Sequence, residues 1–324
     1  MERKLSIVMI LHEIDGVAEV LEAFKHQTLP TSAYELVIVE SAPDGHGEPV
    51  VERNVRALEA HFQGALVLKF QRVTTSTRAG LRNAAIALSQ CPVVLLWGGD
   101  FAPIADAFLA HYDFHEKHPA KTAAAIGPAL FPTHLKITPF MRWLEDSGEL
   151  FGVSFTKNTH LIEQAQFFYG PNVSLKRELL SLAGPSDETL PYHAFDDDEL
   201  GQRLRSHGMR IHYLADPIGW HIHQVGFWER SRAVYWLGKS LKMHDLSHPE
   251  TTPNHWITRV SKSPLNHLRE ALRAGIQFLR QRDTNQRDAF YKNCMEAVLA
   301  IGYRSVLSHS THEKITPPAP ESVR

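Results

Sequence analysis

Short apolar runs alternate with helix-period segments along the first hundred residues. Leu5 to Leu11 reads as a strand, after which Val17, Val20, Leu21 and Phe24 recur at helical spacing behind Asp15, a suitable cap. Leu36 to Val39 predicts a second strand, Leu66 to Phe70 a third and Val93 to Trp97 a fourth. Between them, Val51, Val55, Leu58 and Phe62 mark one helix, and Leu81, Ala84, Ala85 and Leu88 another. Near-continuous apolar strands joined by helices predict an α/β fold with a mostly parallel sheet covered on both faces. Ligands of such sheets bind outside the carboxyl ends of the strands, which directs attention to His12 and Glu13, Glu40 and Ser41, Gln71 and Arg72, and Gly98-Gly99-Asp100.

Farther on, Met209 to Leu214 reads as a strand and Phe227 to Leu246 as a long helix, followed by a linker at Thr251 to Asn254. Leu265, Leu268, Leu272, Ile276 and Leu279 then form one apolar stripe flanked by Arg269, Arg273, Arg280 and Arg282. Two readings of that helix are open: a face packed on the rest of the chain or on a second subunit in a homo-oligomer, or a peripheral membrane contact through residues 264–282. A third apolar helix is expected from Ala289 to Leu307, and a disordered tail from His309. The resulting division is residues 1–250 as the main domain, 251–308 as a helical extension and 309–324 as the tail. Residues 128–169 mix aromatic, basic and proline positions, which suits a ligand-binding loop or a packed connection. Trp143 and Trp220 there and beyond are candidates for stacking on a ligand or for buried anchors.

Composition narrows the setting. The 324 residues are 43% hydrophobic and 22% charged, with a net charge of -2, so no global basic field calls for nucleic acid. Cys91 and Cys294 lie far apart and form no zinc pattern, which fits a reducing cytoplasm. The first apolar run meets His12, Glu13 and Asp15 without a cleavage site, so a strand is expected rather than a signal peptide. No apolar run approaches the roughly 18 residues of a membrane span.

Two stretches carry candidate chemistry. Phe195-Asp196-Asp197-Asp198-Glu199 sets four acids at the start of a short helix in which Leu200 and Leu204 face inward and Gly208 ends the run. The acids complement the positive end of the helix dipole, or one of them serves as a general base. Trp97-Gly98-Gly99-Asp100 ends a buried strand in two glycines and a carboxylate. That carboxylate either faces a ligand or caps a helix starting near Pro103. Neither GxGxxG after the first strand nor GxxxxGK[ST] occurs, which disfavours the usual dinucleotide and P-loop chemistries.

Five segments in order resemble the family 2 glycosyltransferases, which have the GT-A fold: Leu5 to Ile10, Glu35 to Gly45, Ala79 to Ala85, Gly98-Gly99-Asp100, and Gly170 to Arg177 together with the acidic helix. The resemblance spans residues 5 to 245. It implies an inverting transferase that moves a sugar from a nucleotide-diphosphate donor, UDP-sugar first among them, to a glycan or lipid-linked acceptor. Its placing would be cytoplasmic or peripheral at the inner face of the membrane, with a role in cell-surface polysaccharide synthesis. Donor contacts carried over are Leu11, His12, Glu40, Arg82, Asn83, Gly98, Gly99 and Asp100. Acceptor-side positions are Asn172, Asp196, Asp198 and Trp220, with Asp197 as the base, its neighbouring acids raising its pKa. A divalent metal, Mn2+ or Mg2+, would be held by Asp100 and His221, with His223 as the competitor. Two departures stand out: Ser41 replaces the second of two acids after the second strand, and Gly98 replaces the first acid of the DxD motif. A binding protein without turnover and a nucleotidyltransferase are the alternative readings.

Overall fold

The computed structural model describes residues 3–11, 16–42, 45–75, 77–152, 160–162, 168, 170–190, 195–249 and 254–306. The chain forms two compact units, residues 1–187 with 197–224, and residues 188–196 with 225–324.

The first unit opens with β1 (Leu5–Leu11), α1 (Val17–Phe24), β2 (Tyr34–Ser41), α2 (Pro49–Phe62), β3 (Val67–Val73), α3 (Arg78–Leu88) and β4 (Val93–Gly98). It continues through β5 (Phe101–Pro103), α4 (Ala107–Lys117), β6 (Ala123–Ile126), β7 (Ala129–Leu130), α5 (Pro139–Ser147), β8 (His160–Ile162), β9 (Asn172–Lys176) and α6 (Arg177–Ala183). Then come α7 (Asp196–Ser206), whose first residue belongs to the second unit, β10 (Arg210–Tyr213) and β11 (Gly219–His221).

Among the described residues these strands form an eight-stranded sheet, ordered β3-β2-β1-β4-β9-β6-β10-β8, and a three-stranded one, ordered β5-β11-β7. The large sheet is mostly parallel: β3, β2, β1 and β4 run the same way, β9 is antiparallel to both its neighbours, and β8 is antiparallel to β10. The cause is visible in β1, β2 and β4, which are apolar almost throughout and buried on both faces. Two of the helices, α3 and α5, start where a side chain satisfies a loose backbone amide. Thr77 accepts a bond from the Gly80 amide (3.1 Å) ahead of α3, and Thr138 one from Met141 (3.1 Å) ahead of α5. Gly208, at φ 86°, follows α7 in the left-handed conformation that only glycine adopts freely. The edge strand β3 is half-buried, and its Lys69 and Arg72 reach back to Glu35 (2.8 Å) and Glu40 (2.9 Å) on β2.

The second unit adds α8 (Phe227–Ser247), α9 (Asn254–Ser261), α10 (Pro264–Gln281) and α11 (Thr284–Ser305). Asn254, expected in a linker, opens α9, a helix the periodicity did not announce; the rest of that linker lies outside the described residues, as does the tail. Trp143 is buried and stacks on Phe140 within α5, so it is an anchor rather than a platform for sugar.

Candidate active site

The three-stranded sheet explains how a carboxylate and two imidazoles 121 and more residues apart in sequence come together. β5 and β11 pair antiparallel with His221 opposite Phe101, and the Ile222 amide donates to the Asp100 carbonyl (3.2 Å). This register sets Asp100, at the end of the turn leaving β4, beside the two histidines. Asp100 Oδ2 lies 3.2 Å from His221 Nε2 and 3.9 Å from His223 Nδ1, with the imidazole centroids 4.0 Å apart. One ligand atom from each residue falls within 4.8 Å of the others. Phe101–Pro103 is thus a strand, and the helix beyond it starts only at Ala107, so Asp100 does not cap a helix at Pro103.

Burial and charge oppose each other at this carboxylate. Burial pushes the Asp100 carboxyl up, but the hydrogen bond and positive charge of His221, with that of His223, outweigh it and hold the pKa below the ordinary value. His221 is buried among Phe101, Phe131 and Phe151, whose ring centroids lie 5.1, 5.4 and 5.4 Å from its own. The aromatic wall keeps its ring in place, while its Nδ1 is buried with no hydrogen-bond partner among the described residues. One carboxylate oxygen and two imidazole nitrogens on a half-dry floor make a donor set that suits a divalent first-row cation such as Mn2+ better than the all-oxygen preference of Mg2+.

The double glycine is a packing requirement. A Cβ at Gly99 would sit 2.7 Å from the Ile10 carbonyl oxygen, and one at Gly98 2.9 Å from Asp100 Oδ1 and 3.0 Å from Pro171 Cβ. Nothing with a side chain fits at either position without displacing its neighbours, which accounts for the missing acid at Gly98.

A second cluster lies on the other side of the Gly170-Pro171 turn. The Gly98 amide donates to the Pro171 carbonyl (2.9 Å), while a Cβ at Gly170 would be 2.7 Å from Asp197 Oδ1 and 3.1 Å from an Arg82 nitrogen. Arg82, itself buried on α3, hydrogen-bonds Asp197 in the first turn of α7, and Arg78 stands 3.8 Å from the other Asp197 oxygen. The expectation of a base surrounded by like charge is corrected here: Asp197 faces two guanidinium groups. The arginines come from α3 one turn apart, a spacing that was legible but whose partner was not. Asp196 is buried and Asp198 half-buried.

Several predicted contacts have their polar atoms engaged by the fold. Glu40, fully buried at the end of β2, accepts from Arg72 (2.9 Å) and from the Glu48 amide (2.6 Å). Asn83 clamps the Ser186 backbone, donating to its carbonyl (3.0 Å) and accepting from its amide (2.8 Å). Asn172, fully buried on β9, donates to the carbonyls of Pro217 (2.7 Å) and Pro128 (3.1 Å) and accepts from His111 Nε2 (2.9 Å). It ties together the loops entering β7 and β11 rather than offering its amide to a ligand. His111 continues the chain to Ser174 Oγ (2.8 Å), which His115 also reaches (2.9 Å). Burial drives the pKa of His111 down to about 4 and that of His115 to about 2, so both rings are neutral. Leu11 is buried at the end of β1, Trp220 is half-buried on β11, and His12 lies outside the described residues.

No family model and no curated protein matches the chain by sequence. Solved structures do match its fold. A mannosyltransferase from Pyrobaculum calidifontis in complex with GDP-Man and Mn2+ is 15% identical, with 94% of this chain and 89% of that one covered and a TM-score of 0.60. Residues 1–349 of S. aureus TarS in complex with UDP-GlcNAc are 13% identical, with 93% and 92% covered and a TM-score of 0.54. GalNAc-T7 with UDP, GalNAc and Mn2+ is 10% identical, with 78% and 52% covered and a TM-score of 0.51. The fold is a GT-A type α/β fold: a large, mostly parallel sheet flanked by helices, with a helical C-terminal part.

Proposed function

We propose that the chain is a nucleotide-sugar-dependent glycosyltransferase of inverting mechanism. The observation that carries this reading is the convergence of Asp100, His221 and His223 at the carboxyl end of β4, within 4.8 Å of one another, in a fold shared with proteins solved with UDP-GlcNAc, with GDP-Man and Mn2+, and with UDP and Mn2+. Asp100 and His221 would hold a divalent cation, with His223 as a third donor. Such a cation supplies Lewis-acid stabilisation of the charge that develops on a departing diphosphate.

The remaining chemistry belongs to the chain. In the proposed reaction the acceptor hydroxyl oxygen bonds to the anomeric carbon as the bond from that carbon to the phosphate oxygen breaks, and the nucleoside diphosphate leaves. The hydroxyl proton passes to a carboxylate on the opposite face, a role we give to Asp197. Arg82 and Arg78 fix the orientation of that carboxylate, and the glycine at 170 leaves room beside it. The Asp100 cluster lies at the carboxyl end of β4, where ligands of open α/β sheets bind.

Calorimetric titration with UDP, GDP, dTDP and CMP, each with and without Mn2+, on the wild type and Asp100→Ala tests the reading. The expected result is one nucleotide that binds with Mn2+ and is lost in the variant. If none of the four binds under either condition, the chain keeps the fold without the function.

A further inference from the structure

Helix α10 is built inside out relative to an ordinary packed helix. Its buried positions are His267, Ala271 and Ala274, and Gly275 lets the Phe290 ring of α11 come close, 3.3 Å from where a Cβ would stand. Its large apolar residues face outward: Leu265 is 64% exposed, Leu272 64% and Leu279 66%, with Leu268 and Ile276 exposed between them. Single exposed leucines need no explanation, but five in one continuous stripe on one helix do.

The charge beside the stripe identifies what covers it. At 3.6 residues per turn, Arg269, Arg273 and Arg280 fall on one flank of the stripe, and Arg282 follows at the end of the helix. None of the four guanidinium groups forms a hydrogen bond or ion pair with a described residue, whereas the acid of this helix, Glu270, is held by Lys262 (2.7 Å). The outward half of α10 is thus apolar along its centre and cationic along one side, with no acid between. A second copy of the chain complements this poorly, because two such stripes packed antiparallel set one arginine row beside the other. An anionic bilayer complements both halves at once: leucines enter the boundary between headgroups and acyl chains, and guanidinium groups stay at the phosphate level. Among the described residues no helix is long and apolar enough to cross a membrane, so the contact is one of a helix lying in the surface.

We infer that the exposed face of α10, Leu265 to Leu279 with its arginine flank, docks the protein onto anionic lipid bilayers. The inference is independent of the reaction proposed above. It is tested by co-sedimenting the full-length protein with vesicles of phosphatidylcholine, with and without phosphatidylglycerol. Two variants accompany the wild type: Leu265→Ser/Leu272→Ser/Leu279→Ser, and Arg269→Gln/Arg273→Gln/Arg280→Gln. All six positions are exposed, and circular dichroism checks that helix content is kept.

The wild type is expected to bind the anionic vesicles, to bind neutral ones far less, and to release with added salt. The serine variant is expected to lose binding by at least about ten-fold, and the glutamine variant by about five-fold for each arginine removed, equivalent to about 1 kcal/mol apiece. Absence of wild-type binding to anionic vesicles overturns the inference, as does binding that the serine variant leaves unchanged. Analytical ultracentrifugation without lipid adds the rival outcome: a wild-type dimer that the serine variant converts to monomer assigns the stripe to a second copy and overturns the membrane.

Discussion

Asp100 and Asp197 stand on opposite sides of the same short turn, and the fold treats them differently. Asp197 is met by two guanidinium groups, which carry their charge at every pH a folded protein meets. Asp100 is met by two imidazoles, which offer charge or a lone pair according to what else is bound. The difference teaches which carboxylate is fixed and which is open to exchange: a cation can take the place of protons at the imidazole cluster, and nothing comparable can replace Arg82.

The strongest test of the contrast removes the fixed carboxylate. Asp197→Asn keeps a hydrogen-bonding partner for Arg82 and is expected to lower sugar transfer about 10²- to 10⁴-fold while nucleotide binding survives. Turnover near the wild-type level would move the base to another residue. Acid acts on the other side. His111 is neutral when folded with a pKa of about 4, against 6.5 for a free ring, so the unfolded chain binds the extra proton. Its contribution to stability is complete above pH 6.5 and is lost as pH falls toward 4, by about 3 kcal/mol at pH 4 for this ring alone. Because His111 holds Asn172, and Asn172 the loops entering β7 and β11, acid loosens the imidazole cluster's supports. Thermal melts at stepped pH should show this loss, and His111→Gln should remove the share that His111 contributes while leaving that of His115.

How much of this was open to reading differs from one element to the next. β1, β4 and the Leu36–Val39 centre of β2 were legible because a strand buried on both faces writes itself as a near-continuous apolar run, and α7 because four acids, an inward leucine pair and a closing glycine agree with one another. The pairing of β5 with β11 was not legible, since strands of three residues carry too little periodicity and join positions far apart in the chain. Arg82 was named as a donor contact, but its pairing with Asp197, and that of Arg78, was missed for the same reason: their spacing is local, but their partner comes from a different part of the chain. Polar residues at strand ends read as ligand contacts, yet Glu40 and Asn172 had structural partners that only the fold supplies.

Smaller effects sharpen the comparison further. Gly98→Asp would restore a paired-acid pattern on paper, yet its Cβ lies 3.0 Å from Pro171 and 2.9 Å from Asp100 Oδ1. The expected outcome in chemical denaturation is a loss of about 1–3 kcal/mol with no gain in metal binding. His221→Ala and His223→Ala should separate the two imidazoles. Measured by Mn2+ titration, the buried, wall-held His221 should weaken binding by about ten-fold or more and the more exposed His223 by less. Equal losses would show that the aromatic wall does not set the order.

The sheet's edges carry a consequence of another kind. β3 closes one side with Lys69 and Arg72 drawn onto buried acids of the neighbouring strand, and among the described residues β8 lies at the other. An incoming strand from another molecule would have to lie along the charged pairs of the β3 edge and disturb them to add there. That edge of the protein's largest hydrogen-bonded surface is therefore guarded against polymerisation.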